Sequence, residues 1–270
     1  MIVYFLDRNL VIEIEKSLSF MTTKHIDYAR SLDRKNYFLS PMLSILEGHS
    51  RKPPSQMEIE DGCINESKSI RNFYKIAKTD AEYFLNYSDK FANSFKDDAF
   101  LKFEEIKPAL IELQFLLSDI NSKNDCFYKA EKIIDIALSK GIGRTHPVVM
   151  CAIACSFGNL NARRVFKTSK NPTAEKAYNT FMDLKKISDI SYIKSYFLDE
   201  PNSQCRLATA DMPLRNLSKE LVLTTHRKDL NIADRIEYVQ HKWDEPSFLG
   251  SLKFIDSDKS RSRLTELVNS

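Results

Sequence analysis

At 270 residues, with 43% hydrophobic and 29% charged residues, the chain is long enough to bury a sizeable core and too apolar to stay unfolded. Lys+Arg 40 against Asp+Glu 37 leaves +3, too small a surplus to imply a nucleic-acid partner from charge alone. Six glycines argue against a loop-rich all-β protein, and five scattered cysteines without a paired CxxC spacing fit a reducing compartment, which makes the cytoplasm the expected location.

The opening MIVYFLDRNL predicts a short buried strand, because Ile2 to Leu6 are apolar and mostly β-formers. The run is too short, and meets charge too soon, for a signal peptide. It ends on Asp7, Arg8 and Asn9. Asp7 has two readings. It can cap the following helix, with Asn9 as an alternative cap, or it can stand at the carboxyl end of a parallel strand, where open α/β folds bind ligands. Next, Ile12, Leu18 and Ile26 recur at helical spacing and give one or two helices. Ser40 and Pro41 are a good helix start, and the short helix they open carries Glu47 near its end, before Gly48. Residues 51–65 hold Pro-Pro and Asp-Gly steps and read as a connecting loop.

From about Glu66 to Lys140 the chain predicts several helices packed on one another, with no strand signal. Gly141 and Gly143 close that block, and Pro147 opens a strongly apolar core helix in which Cys151 and Cys155 are small core residues rather than ligands. A further helix enters at Pro172 and Thr173 and carries Asp183. Arg206 to Ala210 predict a second short strand, closing on Asp211. A helix or strand and another helix follow, and the polar residues from about Asp256 read as a frayed end. No stretch approaches the ~20 apolar residues of a membrane span, so no membrane partner is expected.

Two strands ending in Asp7 and Asp211 would bring two carboxylates to one edge of a parallel sheet. Asp183 lies on the helix before the second strand, from which it can face the same crevice. At this point the chain resembles a known family. YFLDRN resembles the first strand of PIN-domain nucleases, SPMLSILEG their serine-initiated helix with a glutamate, NTFMDLKKI their helix with an aspartate, and LATADMPL their strand ending in Thr, any residue, Asp. Each is weak alone; all four stand in the family's order.

The resemblance implies a helix-rich α/β PIN-like fold with a small parallel central sheet. Residues 1–65 and 141–225 would be the nuclease core, 66–140 a helical insertion and 226–270 a C-terminal extension. It further implies a metal-dependent endoribonuclease acting on nucleic acid, RNA rather than DNA. Many members are toxins or defence effectors, which implies an inhibitory or activating protein partner. Two departures stand out: Arg8 replaces the usual small residue after the first Asp, and the separation of Glu47 from Asp183 is far longer than in compact members.

Carboxylates held together repel one another and lose hydration, so such a site binds a cation; hard oxygen ligands suit Mg²⁺ or Mn²⁺. Asp7 and Asp211 are the expected direct ligands, and Glu47 and Asp183 ligands directly or through water. Asn9 and Thr209 would orient the acids or the phosphate. Arg8 could contact a phosphate, and Arg163 and Arg164 in NARRVFKTSK could track a phosphate backbone. Each has a plainer alternative: Glu47 a solvated helix end, Asp183 an i,i+3 partner of Lys186, Asp211 a turn opener, the arginines a solvated helix face. His49, His146, His226 and His241 show no metal-ligand spacing. The competing function is a catalytically inactive PIN-like or helical interaction module. Whether the chain acts alone or as a homodimer is left open by its residues. A haloacid dehalogenase-type phosphatase needs a second Asp where Asn9 stands.

Overall fold

Ile2, Val3, Tyr4 and Phe5 are β-branched or aromatic, and they form the first strand, β1 (Ile2–Leu6). The computed structural model describes residues 1–21, 23–49, 52–95, 98–119, 122–196, 204–226 and 240–269. After β1 come α1 (Arg8–Leu18), α2 (Ile26–Ser31), β2 (Tyr37–Ser40), α3 (Met42–Glu47), α4 (Gln56–Phe73), β3 (Lys78–Thr79), α5 (Ala81–Asn86) and α6 (Ser88–Phe95). Then follow α7 (Asp98–Leu116), α8 (Cys126–Ser139), α9 (Pro147–Ser156), α10 (Leu160–Phe166) and α11 (Ala174–Tyr196). The chain ends with β4 (Gln204–Ala208), α12 (Met212–Glu220), β5 (Leu223–His226), β6 (Gln240–Trp243), α13 (Glu245–Gly250) and α14 (Asp258–Asn269).

The molecule is a helix-rich α/β protein, and it divides into two compact units: Met1–Phe103 with Phe197–Arg215, and Glu104–Tyr196 with Asn216–Ser270. The stretch 66–140, expected as one insertion, is thus shared between both. The expected C-terminal extension includes residues 227–239, which lie outside the described residues.

The first unit is built on a four-stranded parallel sheet in the order β3-β2-β1-β4. Parallel neighbours need crossover connections, here supplied by α1 and α2 between β1 and β2, and by α3 and α4 between β2 and β3. The connection from β3 to β4 is far longer, running from residue 80 to residue 203. Registers pair Phe5 with Ser40, Leu39 with Thr79, and Leu6 with Ala208. All four strands therefore point their carboxyl ends at one edge. One core cluster gathers Leu6, Leu10, Val11, Ile14, Leu39 and Ile70, from the sheet and from α1 and α4. Another joins Ile45, Ile59, Cys63, Phe84 and Phe91 between α3, α4, α5 and α6.

In the second unit, α9 is buried at every position, as its apolar sequence requires. His146 caps it, its Nδ1 accepting from the Val148 amide at 3.2 Å, with Pro147 inside the first turn. Gln114 of α7 donates to the Phe166 carbonyl at 2.9 Å and to the Thr180 hydroxyl at 3.1 Å, tying α7, α10 and α11 together. Strands β5 and β6 pair antiparallel as a separate sheet. Among the described residues no helix is long and apolar enough to cross a membrane.

Several local readings differ from the sequence expectation. Residues 51–65 are not a loop throughout: Ser55 and Glu58 form a reciprocal capping box that starts α4 at Gln56. Helix α4 passes close to α3 at Gly62, where a Cβ would meet Ile45 at 3.4 Å, ordinary van der Waals contact. The second predicted strand ends at Ala208, so Thr209 and Asp211 lie on the turn beyond it. The polar tail is not frayed, since α14 buries Leu264 and Val268.

Candidate active site

The site grows from the adjacency of β1 and β4. The Asp7 amide extends their ladder by one rung, donating to the Ala208 carbonyl at 2.9 Å. Asp7 also occupies the N-cap position of α1, and its backbone carbonyl accepts from the Leu10 and Val11 amides at 3.0 and 3.1 Å. Its carboxylate makes no capping hydrogen bond. Instead, Oδ2 accepts from the hydroxyl of Thr209, 202 positions away in sequence, at 2.7 Å. Both side chains are fully buried, at 0% exposure.

Thr209 links two acids. Its Oγ1 donates to Asp7 and accepts from the Asp211 amide at 3.0 Å, so one hydroxyl joins the end of β1 to the turn after β4. Asp211, half-buried, accepts from the Leu214 amide through Oδ1 at 3.1 Å and so caps α12. A guanidinium braces the turn from the other side: Arg215 donates to the Thr209 carbonyl through Nε at 3.2 Å and again through Nη2. The same guanidinium lies over the Tyr28 ring of α2, 4.0 Å from its centroid.

Beside Asp7, Arg8 points inward. It is buried, and its Nη1 lies 2.8 Å from Oε1 of Glu66 on α4, a residue with no exposure at all. Nη2 lies 3.7 Å from Glu15 and donates to Nδ1 of His49. An arginine can only donate, so that imidazole nitrogen is unprotonated. Desolvation and the Arg8 charge both hold His49 below the ordinary histidine range. Burial pushes the Glu66 carboxyl up to about 7, against the pull of Arg8 and Ser44; the charges of Glu15 and Glu47 add to the rise. Glu47 itself ends α3, half-buried, before Gly48.

The sheet edge continues past β1. Ser40 ends β2, and Asp80 follows β3. Asp80 is pushed up to about 6 by burial, partly offset by a hydrogen bond from Ser40. Sequence reasoning missed Asp80 because its strand is only two residues long, though Lys78-Thr79-Asp80 repeats the strand-then-acid pattern of Asp7. It also missed Glu66, which periodicity alone could have flagged: a glutamate on the face of α4 that includes Ile59, Cys63 and Ile70.

The remaining expected residues have surroundings of their own. Asn9 is exposed on α1. Asp183, in the second unit, pairs with Lys167 and lies 3.7 Å from Lys186, the i,i+3 neighbour. Arg163 donates to the carbonyls of Leu117, Ser118 and Asp119 at 3.0, 2.9 and 3.2 Å, closing the end of α7, while Arg164 is exposed. The side chains of His226 and His241 lie outside the described residues.

Among the described residues, no group of three or more His, Cys, Asp and Glu side chains is set to share one metal ion. Mg²⁺ does not require one: it is held by one or two carboxylates with water and substrate phosphates completing the shell. Asp7 and Asp211, linked through the Thr209 hydroxyl, supply hard oxygen donors of that kind. Comparison with family models, curated proteins and solved structures finds no match to the chain.

Proposed function

We propose that this chain is a metal-dependent PIN-like nuclease, an endoribonuclease centred on Asp7 and Asp211. The observation that supports it most is the use of Asp7: a residue at a helix N-cap that withholds its carboxylate from capping and holds it at the carboxyl edge of a parallel sheet, bonded to a threonine on the turn just after the adjacent strand. Strand-end acids at this edge are where open α/β proteins do chemistry. Asp7 and Asp211 would hold Mg²⁺ or Mn²⁺, with Glu47 reaching it through water. When bound, the cation lowers the pKa of a water and offsets charge on the leaving oxygen.

The chain's own groups do the rest. Thr209 fixes the rotamer of Asp7 and the position of Asp211 with one hydroxyl. Burial of Asp7 lowers the local dielectric, so its charge acts more strongly on anything brought to the edge. Arg8 pairs with the buried Glu66, which supports a role in balancing buried charge. Asp183 lies in the second unit and pairs with Lys167 and Lys186, so the proposal is centred on Asp7 and Asp211 without it.

One observation favours a second reading, the catalytically inactive interaction module: no three acids converge among the described residues, and Glu66 and Asp183 face cationic side chains. Cleavage of a labelled single-stranded RNA with Mg²⁺ or Mn²⁺ separates the two, run beside Asp7→Asn, Asp211→Asn and an EDTA control. Metal-dependent cutting that disappears in both variants, with their melts unchanged, establishes the nuclease. No cutting, together with no rise in melting temperature on adding Mn²⁺, establishes the interaction module.

A further inference from the structure

The turn that carries Thr209 and Asp211 is clamped by a side chain that no feature of the sequence singled out. Arg215, in the first turn of α12, reaches back six residues and donates twice to the Thr209 carbonyl, through Nε at 3.2 Å and through Nη2. Its own amide donates to the Asp211 carbonyl at 2.9 Å. The flat face of the guanidinium rests on Tyr28, whose ring is anchored against the core beside Ile26 and Leu32 of the α2 region. Residues 209–211 are thus held on three sides: by the β1–β4 ladder, by the first turn of α12, and by a planar cation seated on an aromatic ring.

We infer that Arg215 is a positioning residue for the Asp7–Thr209–Asp211 centre, and that Tyr28 is the platform that sets its guanidinium. The chemistry requires arginine. Only a planar fork offers two donors to one carbonyl while presenting a face to a ring; a lysine ammonium supplies charge without either. If the Thr209 carbonyl swings, the peptide linking Thr209 to Ala210 rotates, and the hydroxyl loses its aim at Asp7. The role of Arg215 toward the cation rests on the proposed nuclease. The clamp itself does not, and the test is built to keep the two apart.

Arg215→Lys keeps the charge and the helix, and so guards against simple unfolding. Tyr28→Ala removes the platform, and Tyr28→Phe keeps it. In the metal-free protein, amide hydrogen exchange is followed residue by residue. The clamp predicts that the Asp211 amide, which donates to Thr209, exchanges about 10-fold or more faster in Arg215→Lys and Tyr28→Ala, while amides of β1 and β2 and the whole of Tyr28→Phe match the wild type. The same four proteins are then titrated with Mn²⁺ and followed by melting temperature. The expected result is a half-saturating Mn²⁺ concentration raised about 10-fold in the two disrupting variants and unchanged in Tyr28→Phe. Wild-type exchange at residues 209–211 in Arg215→Lys overturns the clamp, as does an increase spread evenly over the sheet. Local exchange that rises with an unaltered Mn²⁺ midpoint overturns the positioning role. If the wild type shows no Mn²⁺ response and no cleavage, the nuclease reading falls, and so does the role toward the cation, while the clamp stands or falls on exchange alone.

Discussion

Asp7 and Asp183 are both largely buried aspartates chosen by the same sequence logic, yet they have different surroundings. Asp7 stands at the end of a strand and takes a hydroxyl from the turn that follows the next strand of its sheet. Asp183 stands within a long helix of the second unit and takes the ammonium of Lys167, with Lys186 at 3.7 Å. A strand end has one destination once the sheet is parallel: the carboxyl edge, beside the ends of its neighbours. A helix position can face any direction around the axis, and which partner it meets is decided by tertiary packing. The position of a strand-end acid can therefore be read from sequence, and the partner of a helix acid cannot.

The largest expected effect that tests this contrast is on stability. Asp183→Ala takes a carboxylate away from Lys167 and from Lys186, the latter at 1% exposure, and should cost roughly 3 kcal/mol in a denaturant melt. A loss of cleavage with an unchanged melt would instead return Asp183 to the catalytic set and break the comparison. Asp7→Asn keeps the shape at the strand end and should lower metal-dependent cleavage roughly 100-fold, with the melting temperature nearly unmoved. A variant that cuts like the wild type removes Asp7 from the centre.

Next in size is a pH effect. Glu66 binds its proton more tightly in the folded chain, at about 7 against an ordinary 4.5, and Asp80 is likewise raised, to about 6. Their contribution to stability is complete below the unfolded values and is lost as pH rises through about 6 and 7, a change on the order of 3 kcal/mol for each group. Glu66→Gln should flatten the upper part of that slope, while a slope identical to that of the wild type would exclude Glu66 as its source. The smallest effect belongs to Asp33, where burial opposes the charge but three amides, from Lys75, Ile76 and Ala77 at 3.0, 2.8 and 2.8 Å, outweigh it and lower the pKa. That stabilisation is present at neutral pH and is lost as acid titrates the group. Asp33→Asn should cost about 1 kcal/mol at pH 7 and nothing at low pH, measured by urea melts at both.

The contrast also explains what could be read beforehand. β1, the edge it feeds, Asp7, Thr209 and Asp211 were legible because apolar β-formers followed by a polar break have few interpretations. β3 was not legible, since two residues carry no alternation, and Asp80 was lost with it. The start of α4 was legible in principle from Ser55 and Glu58, but the neighbouring Pro-Pro and Asp-Gly steps outweighed them. The Arg8–Glu66 pair was hidden because it joins residues on α1 and α4 that only packing brings together.

The neighbour relation of β1 and β4 also sets an order of assembly. On the ribosome β1 emerges before its β4 partner, which follows only after residues 81–203 have been made. Until then β1 is a bare edge, the kind of exposed ladder that pairs with the wrong chain. The hydroxyl for Asp7 arrives with the same late segment. A nascent chain therefore carries the acid long before it carries the hydroxyl that aims it.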